Sequence, residues 1–132
     1  MKDSGINFTK KSKNKITGNI GELKAVLFLK NMGYEILEQN FKTKIGEIDI
    51  IAKDDERIVF VEVKARATAR YGYPRESVTK KKQQTIRRVA EIYLLKNHKT
   101  NVYCRFDVVE IYAPQGVDTQ KPKIHHLEDA FQ

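Results

Sequence analysis

Two short apolar runs separated by a two-residue turn, within residues 46–66 (GEIDIIAKDDERIVFVEVKAR), constrain the fold of this chain more than any other feature. The runs IDIIA and IVFVEV are rich in β-branched residues and have the length of buried strands. The polar Asp55-Glu56 between them is typical of a hairpin turn. We therefore expect a β-hairpin whose two strands lie in the core of a sheet.

The rest of the chain adds two helices and three further strands to this hairpin. From residue 17 onward, Leu23, Leu27 and their apolar neighbours form a broad helical face, and Gly33 is a stop signal, so this helix should be well buried. The two hairpin strands are predicted at 47–53 and 57–64, and the three further strands at 34–41, 102–112 and 124–127. A second helix is predicted at 79–97. The order α-β-β-β-α-β-β predicts an α/β fold, a mixed β-sheet flanked by helices.

Length and composition predict one domain. The chain has 132 residues, of which 17–132 should form that domain. Residues 1–16 contain five lysines and no hydrophobic periodicity, which indicates a flexible basic arm. The single Cys104 excludes an internal disulfide. Because there is no apolar leader and no run near the ~20 residues that span a bilayer, we expect a cytoplasmic protein without membrane contact.

The positive charge of the chain is concentrated in one segment. The formal net charge is +8, and residues 64–88 alone contain nine basic residues and one acid. The basic residues are Lys64, Arg66, Arg70, Arg75, Lys80, Lys81, Lys82, Arg87 and Arg88. Since the remainder of the chain is neutral on balance, this segment predicts an anionic partner, and we expect nucleic acid.

Lys80, Lys81 and Lys82 lie in the first turn of the second predicted helix. The positive end of the helix dipole disfavours cations there, and a bound phosphate backbone would offset that cost. Together with Arg66 and Arg70 on the preceding loop, these lysines are the predicted nucleic-acid contacts. The alternative interpretation is a solvated run of charge.

Three charged residues interrupt the apolar strands of the hairpin. Strand alternation puts Glu62 and Lys64 on one face with Phe60, and a two-residue turn puts Asp49 directly opposite Glu62. Facing carboxylates repel, and a divalent cation would offset the repulsion because Mg²⁺ prefers oxygen ligands. Lys64 would then orient water and neutralise charge on a phosphoryl oxygen. The pattern predicts phosphodiester hydrolysis with Mg²⁺ or Mn²⁺; the alternative is an exposed ladder of charges.

This constellation resembles the PD-(D/E)xK nuclease superfamily, with Asp49 and Glu62 as its acids and Lys64 as its lysine, although Ile48 stands where the superfamily name has Pro. The segments GNIGELKAVLFLKNMGYEILEQNFKTKIGEIDIIA, VFVEVKAR, YGYPRESVTKKK and RFDVVEI, within residues 17–131, resemble the YraN-like family of uncharacterised proteins. The resemblance implies a restriction-endonuclease-like fold, similar to archaeal Holliday junction resolvases. It also implies that Glu22 joins the metal site; the alternative is an acid stabilised by the helix dipole.

The sequence thus predicts an endonuclease for structured or branched DNA, with Glu22, Asp49 and Glu62 as metal ligands and Lys64 as the catalytic lysine. A homodimer is compatible with a two-fold junction. The first alternative is a nucleic-acid-binding module that retains the nuclease fold without catalysis. The second is a protein-interaction domain without nucleic-acid affinity. Asp107, which interrupts another apolar strand, is interpreted as the partner of Arg105 in a structural ion pair; the alternative is a role at the site.

Overall fold

The computed structural model describes residues 10–66, 78–113 and 121–132, with side chains from residue 20 onward. Its elements are α1 (Lys10–Asn31), β1 (Glu35–Lys42), β2 (Glu47–Asp54), β3 (Arg57–Arg66), α2 (Lys80–Lys96), β4 (Tyr103–Tyr112) and β5 (Lys123–Phe131). The five strands form one sheet in the order β1-β2-β3-β4-β5. The predicted α/β class and element order are confirmed.

The sheet is mixed because of one crossover. Strands β3 and β4 are parallel, and the other neighbouring pairs are antiparallel. Parallel neighbours need a long connection, which α2 supplies between β3 and β4. The predicted hairpin register is confirmed, since Asp54 pairs with Arg57 and Ile50 pairs with Val61 across the two-residue turn. In the strand order given above, β3 lies at the centre of the sheet.

One helix covers each face of the sheet. On the face that we call the α2 face, the helix residues Val89 and Tyr93 pack against a cluster that includes Ile51, Phe60 and Val108. On the opposite α1 face, Ala25, Val26 and Leu29 of the helix pack against a second cluster that includes Ile50 and Val61. Full burial of one large apolar side chain contributes roughly 1.5–3 kcal/mol, so these two layers supply most of the stability.

Helix α1 differs from its prediction in two ways. It begins at Lys10, so residues 10–16, assigned to the arm, are helical; residues 1–9 lie outside the described residues. The prediction that Leu23 and Leu27 belong to a buried face was wrong, since they are 57% and 53% exposed. They are four residues apart and form one stripe, whereas the helix meets the sheet through the stripe of Ala25 and Leu29.

The predicted glycine end of α1 is confirmed, and α2 (Lys80–Lys96) lies within one residue of the predicted 79–97 at each end. Gly33 has φ +93°, and Tyr34 N–H donates to the Leu29 carbonyl at 3.0 Å, which closes α1 in the way that a left-handed glycine permits. At the start of α2, Thr79 Oγ1 accepts from the Lys82 N–H at 3.1 Å. Such a cap contributes about 1 kcal/mol. It also fixes the orientation of the first turn, which carries the three lysines.

The last strand is longer than predicted. Strand β5 extends from Lys123 to Phe131, well beyond the predicted 124–127, because it pairs with β4 from Tyr112 to Phe106. Pairing with a buried neighbour, rather than its own mostly polar sequence, determines its length. In the part of the chain that the structure describes, no helix has the length and apolar character needed to cross a membrane.

The interpretation of Asp107 and Arg105 as an ion pair is confirmed. Asp107 is completely buried on β4 and accepts from Arg105 Nε at 2.9 Å. It also lies 2.7 Å from His126 Nε2 and accepts from the Asp129 N–H at 2.9 Å. Burial by itself would raise the pKa of Asp107, but these hydrogen bonds outweigh burial and lower it. The cluster ties β5 to β4 and has a structural role.

Candidate active site

Strands β2 and β3 stop pairing where the two predicted acids meet. The ladder between them ends at Ile50 and Val61, and the next residues are Asp49 and Glu62. Asp49 Oδ2 accepts from the Val63 N–H at 2.8 Å, so the side chain takes the place of a main-chain partner. The Asp49 and Glu62 carboxyl groups lie within hydrogen-bonding reach of each other. The predicted juxtaposition of these acids, which we call the acid pair, is confirmed.

Ile48 departs from the regular alternation of β2, directly before Asp49. Ile48 packs in the cluster on the α2 face and Ile50 in the cluster on the α1 face, although residues two apart on a regular strand share one face. On the neighbouring strand β1, Asn40 has φ +52° and lies between the paired residues Gln39 and Phe41. Such irregularities re-aim side chains next to functional sites. Asp49 lies next to this irregularity and is half-buried.

Two lysines surround Glu62. Glu62 is 7% exposed, and its Oε2 lies 3.7 Å from Lys64 Nζ and 3.9 Å from Lys82 Nζ. The predicted sharing of one face by Glu62 and Lys64 is therefore confirmed. Lys82 arrives from the first turn of α2, where Thr79 caps the helix. The sequence predicts Lys82 as a nucleic-acid contact alone, and the structure places it beside the acid pair.

The acid pair holds a proton unusually tightly. Burial and, second, the charge of Asp49 raise the pKa of Glu62 to about 7, although Lys82 and Lys64 act in the opposite direction. Burial also raises the pKa of Asp49 despite the hydrogen bond from the Val63 N–H. The two lysines thus leave part of the carboxylate charge uncompensated. An additional cation would stabilise the ionised form of both acids.

Helix α1 brings Glu22 to the edge of this site. A Cβ atom at Gly21 would lie 3.1 Å from the Ala65 Cβ, so the glycine lets the helix approach the end of β3 closely. Glu22 is half-buried, and its pKa is raised first by burial and then by the charge of Asp49. A hydrogen bond with the Asn40 side chain opposes this rise. Glu22 therefore faces the acid pair but is held by Asn40.

The three predicted metal ligands are not gathered around one point. Within residues 20–66, 78–113 and 121–132, no group of three His, Cys, Asp or Glu side chains is arranged to hold a metal ion. Asp49 and Glu62 meet, and Glu22 lies near enough for the charge of Asp49 to raise its pKa without completing a group of three. The oxygens of the acid pair nevertheless fit a hard divalent cation, because Mg²⁺ commonly takes one or two carboxylates and keeps several waters.

The other predicted contacts fall into three groups. Lys80 and Lys81 are exposed on the first turn of α2, as a phosphate contact requires. Arg66 Nε lies 2.7 Å from Glu110 Oε2 without an aligned hydrogen bond, so this contact is an ion pair that engages Arg66 with β4. Arg70 lies outside the described residues.

Sequence reasoning missed two residues near the site, and each carried a signal. Asn40 is a poor strand former that tolerates positive φ, and its position within an apolar strand pattern marks an irregularity. Glu110 in VVEIY interrupts an apolar strand just as Glu62 does in VFVEV. The structure buries Glu110 completely, and the Tyr112 hydroxyl donates to its Oε1 at 2.5 Å.

Comparison with known proteins relates the chain to one family. A family model described as uncharacterised protein family UPF0102 matches residues 21–111. A UPF0102 protein of Acetivibrio thermocellus is 50% identical over 123 residues, covering 92% of this chain and 95% of the relative. A relative from Clostridioides difficile is 47% identical over 118 residues, with coverages of 89% and 98%. One from Caldanaerobacter subterraneus is 42% identical over 123 residues, with coverages of 92% and 99%.

Proposed function

The chain belongs to the uncharacterised protein family UPF0102, and we propose that it is a divalent-metal-dependent endonuclease that hydrolyses phosphodiester bonds in structured or branched DNA. One observation carries the proposal. Asp49 and Glu62 are neighbours where the pairing of β2 with β3 ends, each acts on the pKa of the other, and two lysines lie within 4 Å of Glu62. The resemblance to PD-(D/E)xK nucleases supports the same assignment.

The acid pair is costly unless it has a function. A pKa of about 7 for Glu62 means that the folded protein resists ionising this group at neutral pH. Asn or Gln at either position would remove the repulsion at nearly constant volume. A divalent cation bound to both carboxylates would compensate their charge, and it would supply polarisation of a phosphoryl oxygen and activation of water.

The chain's own side chains have distinct tasks in this proposal. Asp49 and Glu62 hold the cation, and Glu22 approaches it from α1 as a further carboxylate. Lys64, whose side chain is 35% exposed, reaches solvent beside Glu62 and neutralises charge that develops on the phosphoryl oxygen. Lys82 contacts the substrate phosphate from the helix N-terminus.

The exposed start of α2 supports a nucleic-acid substrate. Lys80 and Lys81 are exposed next to Lys82, and no acid occurs in this first turn. Phosphate contacts of this kind fix the register of a nucleic-acid backbone without reading its sequence. A substrate chosen by shape, such as a junction or flap, is consistent with such contacts.

A cleavage assay tests the proposal. Labelled duplex, flap and four-way-junction DNA are incubated with the protein and Mn²⁺, and we expect nicking of at least one branched substrate. Lys64→Ala and Glu62→Gln should each abolish nicking while circular dichroism and DNA binding are preserved. Lys53→Ala, at the far end of β2, is the matched control and should cleave normally. Cleavage that survives in both site variants would refute the assignment.

A non-catalytic nucleic-acid-binding module is the second candidate, and one observation favours it. Lys64 and Lys82 already lie within 4 Å of Glu62, so they compensate part of its charge without any metal. In that case DNA should bind equally well in EDTA and Mn²⁺, no substrate should be cut, and Mn²⁺ should not raise the melting temperature.

A further inference from the structure

A groove of about 600 Å³ opens beside α2, on the α2 face of the sheet. Its floor is apolar and includes Phe60, Leu94 and Phe106. Its rim is polar and includes Gln84, Arg87 and Arg88 from the helix. Neither acid of the acid pair lines it. We call this feature the groove.

The groove exists because α2 covers only part of its face. The helix packs through Ile86, Val89, Ala90 and Tyr93, and it contacts β2 and, through Tyr93, Phe60 of β3. The start of β4 beyond it is left partly uncovered, so that Cys104 is exposed and Phe106 half-buried. Volumes of 300–1,000 Å³ with an apolar lining and a few polar groups are typical of ligand sites.

The charge of the rim selects the kind of ligand. Lys80, Gln84 and Arg88 are spaced four residues apart and therefore form one row along α2, from the helix start to the groove. Arg87 Nη1 donates to the Gln132 carbonyl at 2.7 Å, which fixes this guanidinium at the rim. Glu91 is the one acid among the described lining residues. An apolar floor with a cationic rim complements a flat apolar group that carries negative charge.

The groove lies close to the acid pair. Phe60 and Glu62 are two residues apart on the same face of β3, a separation of roughly 7 Å along the strand. Lys82, one turn before the rim residues, contacts Glu62. A nucleic-acid strand whose phosphate lies at the acid pair therefore extends naturally along α2 into the groove.

We propose that the groove binds an unpaired nucleotide that flanks the phosphodiester bond at the acid pair. Both faces of Phe106 are covered, by Phe60 at 5.4 Å and Phe131 at 5.2 Å between ring centroids, so a base meets ring edges in an edge-to-face contact. Arg88 stacks on the base or pairs with its phosphate. The identity of the neighbouring phosphate site rests on the proposed function, and the groove narrows the substrate to nucleic acid with a single-stranded portion.

The chain's single cysteine lines the groove and reports on its occupancy. The rate at which iodoacetamide alkylates Cys104 is measured by mass spectrometry in EDTA, with the full chain alone, with oligothymidylate, and with a blunt duplex. Fluorescence anisotropy sets equal occupancy of the two DNAs. We expect oligothymidylate to slow alkylation at least fivefold and the duplex to leave it nearly unchanged. Partial burial raises the pKa of the Cys104 thiol in the free protein, so all arms are run at one pH and the ratio of rates is the readout.

Two variants control this experiment. Cys104→Ser combined with Tyr103→Cys moves the thiol to the neighbouring strand position, which is 80% exposed and points to the other side, and this thiol should stay reactive with DNA bound. Arg88→Ala should weaken oligothymidylate binding about tenfold and duplex binding less. Lys30→Ala, an exposed cation on α1 at the opposite face of the sheet, should change neither.

The outcomes separate this inference from the proposed function. The proposal that the groove binds a nucleotide is refuted if oligothymidylate binds without protecting Cys104. It is also refuted if oligothymidylate does not bind in EDTA. Protection of Cys104 without Mn²⁺-dependent cleavage retains the groove and refutes the nuclease. Mn²⁺-dependent cleavage with an unprotected Cys104 retains the nuclease assignment and refutes nucleotide binding in the groove.

Discussion

The substitution Asp49→Asn should raise the melting temperature of the metal-free protein. Asp49 Oδ2 accepts from the Val63 N–H at 2.8 Å, and the oxygen of an asparagine side chain can accept the same bond. Its NH₂ group can then donate to Glu62, which an ionised aspartate cannot do. The substitution removes one negative charge from the acid pair and leaves every polar group with a partner.

The size of the effect follows from the pKa of Glu62. A rise from 4.5 to about 7 corresponds to a differential free energy of about 3 kcal/mol. Burial is the larger cause and remains in the variant, while the charge of Asp49 is the second cause and is removed. If Asp49 accounts for about a third, the free energy of unfolding rises by roughly 1 kcal/mol. For a domain of this length that is about 3–5 °C.

The effect should depend on pH with a definite sign. The pKa of Glu62 is raised in the folded state, so folding favours the protonated form, and stability is lost as pH rises from about 4.5 to about 7. Above that window Glu62 is ionised and repels Asp49. Below the window Glu62 is neutral in both states. The gain from Asp49→Asn should therefore be largest near pH 8 and small near pH 4.5.

Circular dichroism melts in EDTA at pH 8 and pH 4.5 measure this gain. Asp55→Asn, at the exposed hairpin turn with φ +60°, is the matched control and should melt like the parent, because Asn tolerates positive φ. Adding Mn²⁺ should raise the melting temperature of the parent and hardly move that of Asp49→Asn. A variant that melts lower at pH 8, with a parent that ignores Mn²⁺, would show that the carboxylate of Asp49 is a structural acceptor.

Three further predictions follow from the same geometry. The Mn²⁺-induced rise in melting temperature should grow between pH 6 and pH 8, because Glu62 must lose its proton to bind a cation; a flat profile would contradict this. Replacing Lys80–Lys82 by Ala should weaken DNA binding about equally for all sequences and make the slope of log K against log salt shallower by roughly two to three; an unchanged slope would place the binding surface elsewhere. Asp107→Asn should lower the free energy of unfolding measured by urea denaturation by on the order of 3 kcal/mol, because it leaves Arg105 buried and under-compensated. Cleavage should stay intact at urea concentrations below the unfolding transition. A loss of cleavage in the folded variant would give Asp107 a role at the site.

Local sequence patterns determined much of the fold. The two-residue turn and the apolar alternation around it fixed the pairing of β2 with β3, and thereby the meeting of Asp49 and Glu62. Gly33 marked the end of α1 through bonds within one turn of the chain. These features are predictable because every partner lies close in sequence, so turn chemistry and strand period suffice.

The tertiary structure decided what depends on distant residues. Leu23 and Leu27 have the character of core residues, and only the docking of α1 through Ala25 and Leu29 leaves them exposed. The length of β5 depends on its pairing with β4. No local pattern contains this information, because it depends on which surface of one element meets another.

The candidate site likewise combines features set by the local sequence with features set by the tertiary structure. The sequence by itself determined the acids and Lys64, since strand alternation and one turn place them together. Only the tertiary structure brought Lys82 to Glu62, placed Glu22 beside Asn40 and within the influence of Asp49, and left the groove beside α2. Each of these results from the packing of a helix on the sheet, which burial of apolar area drives without regard to sequence distance.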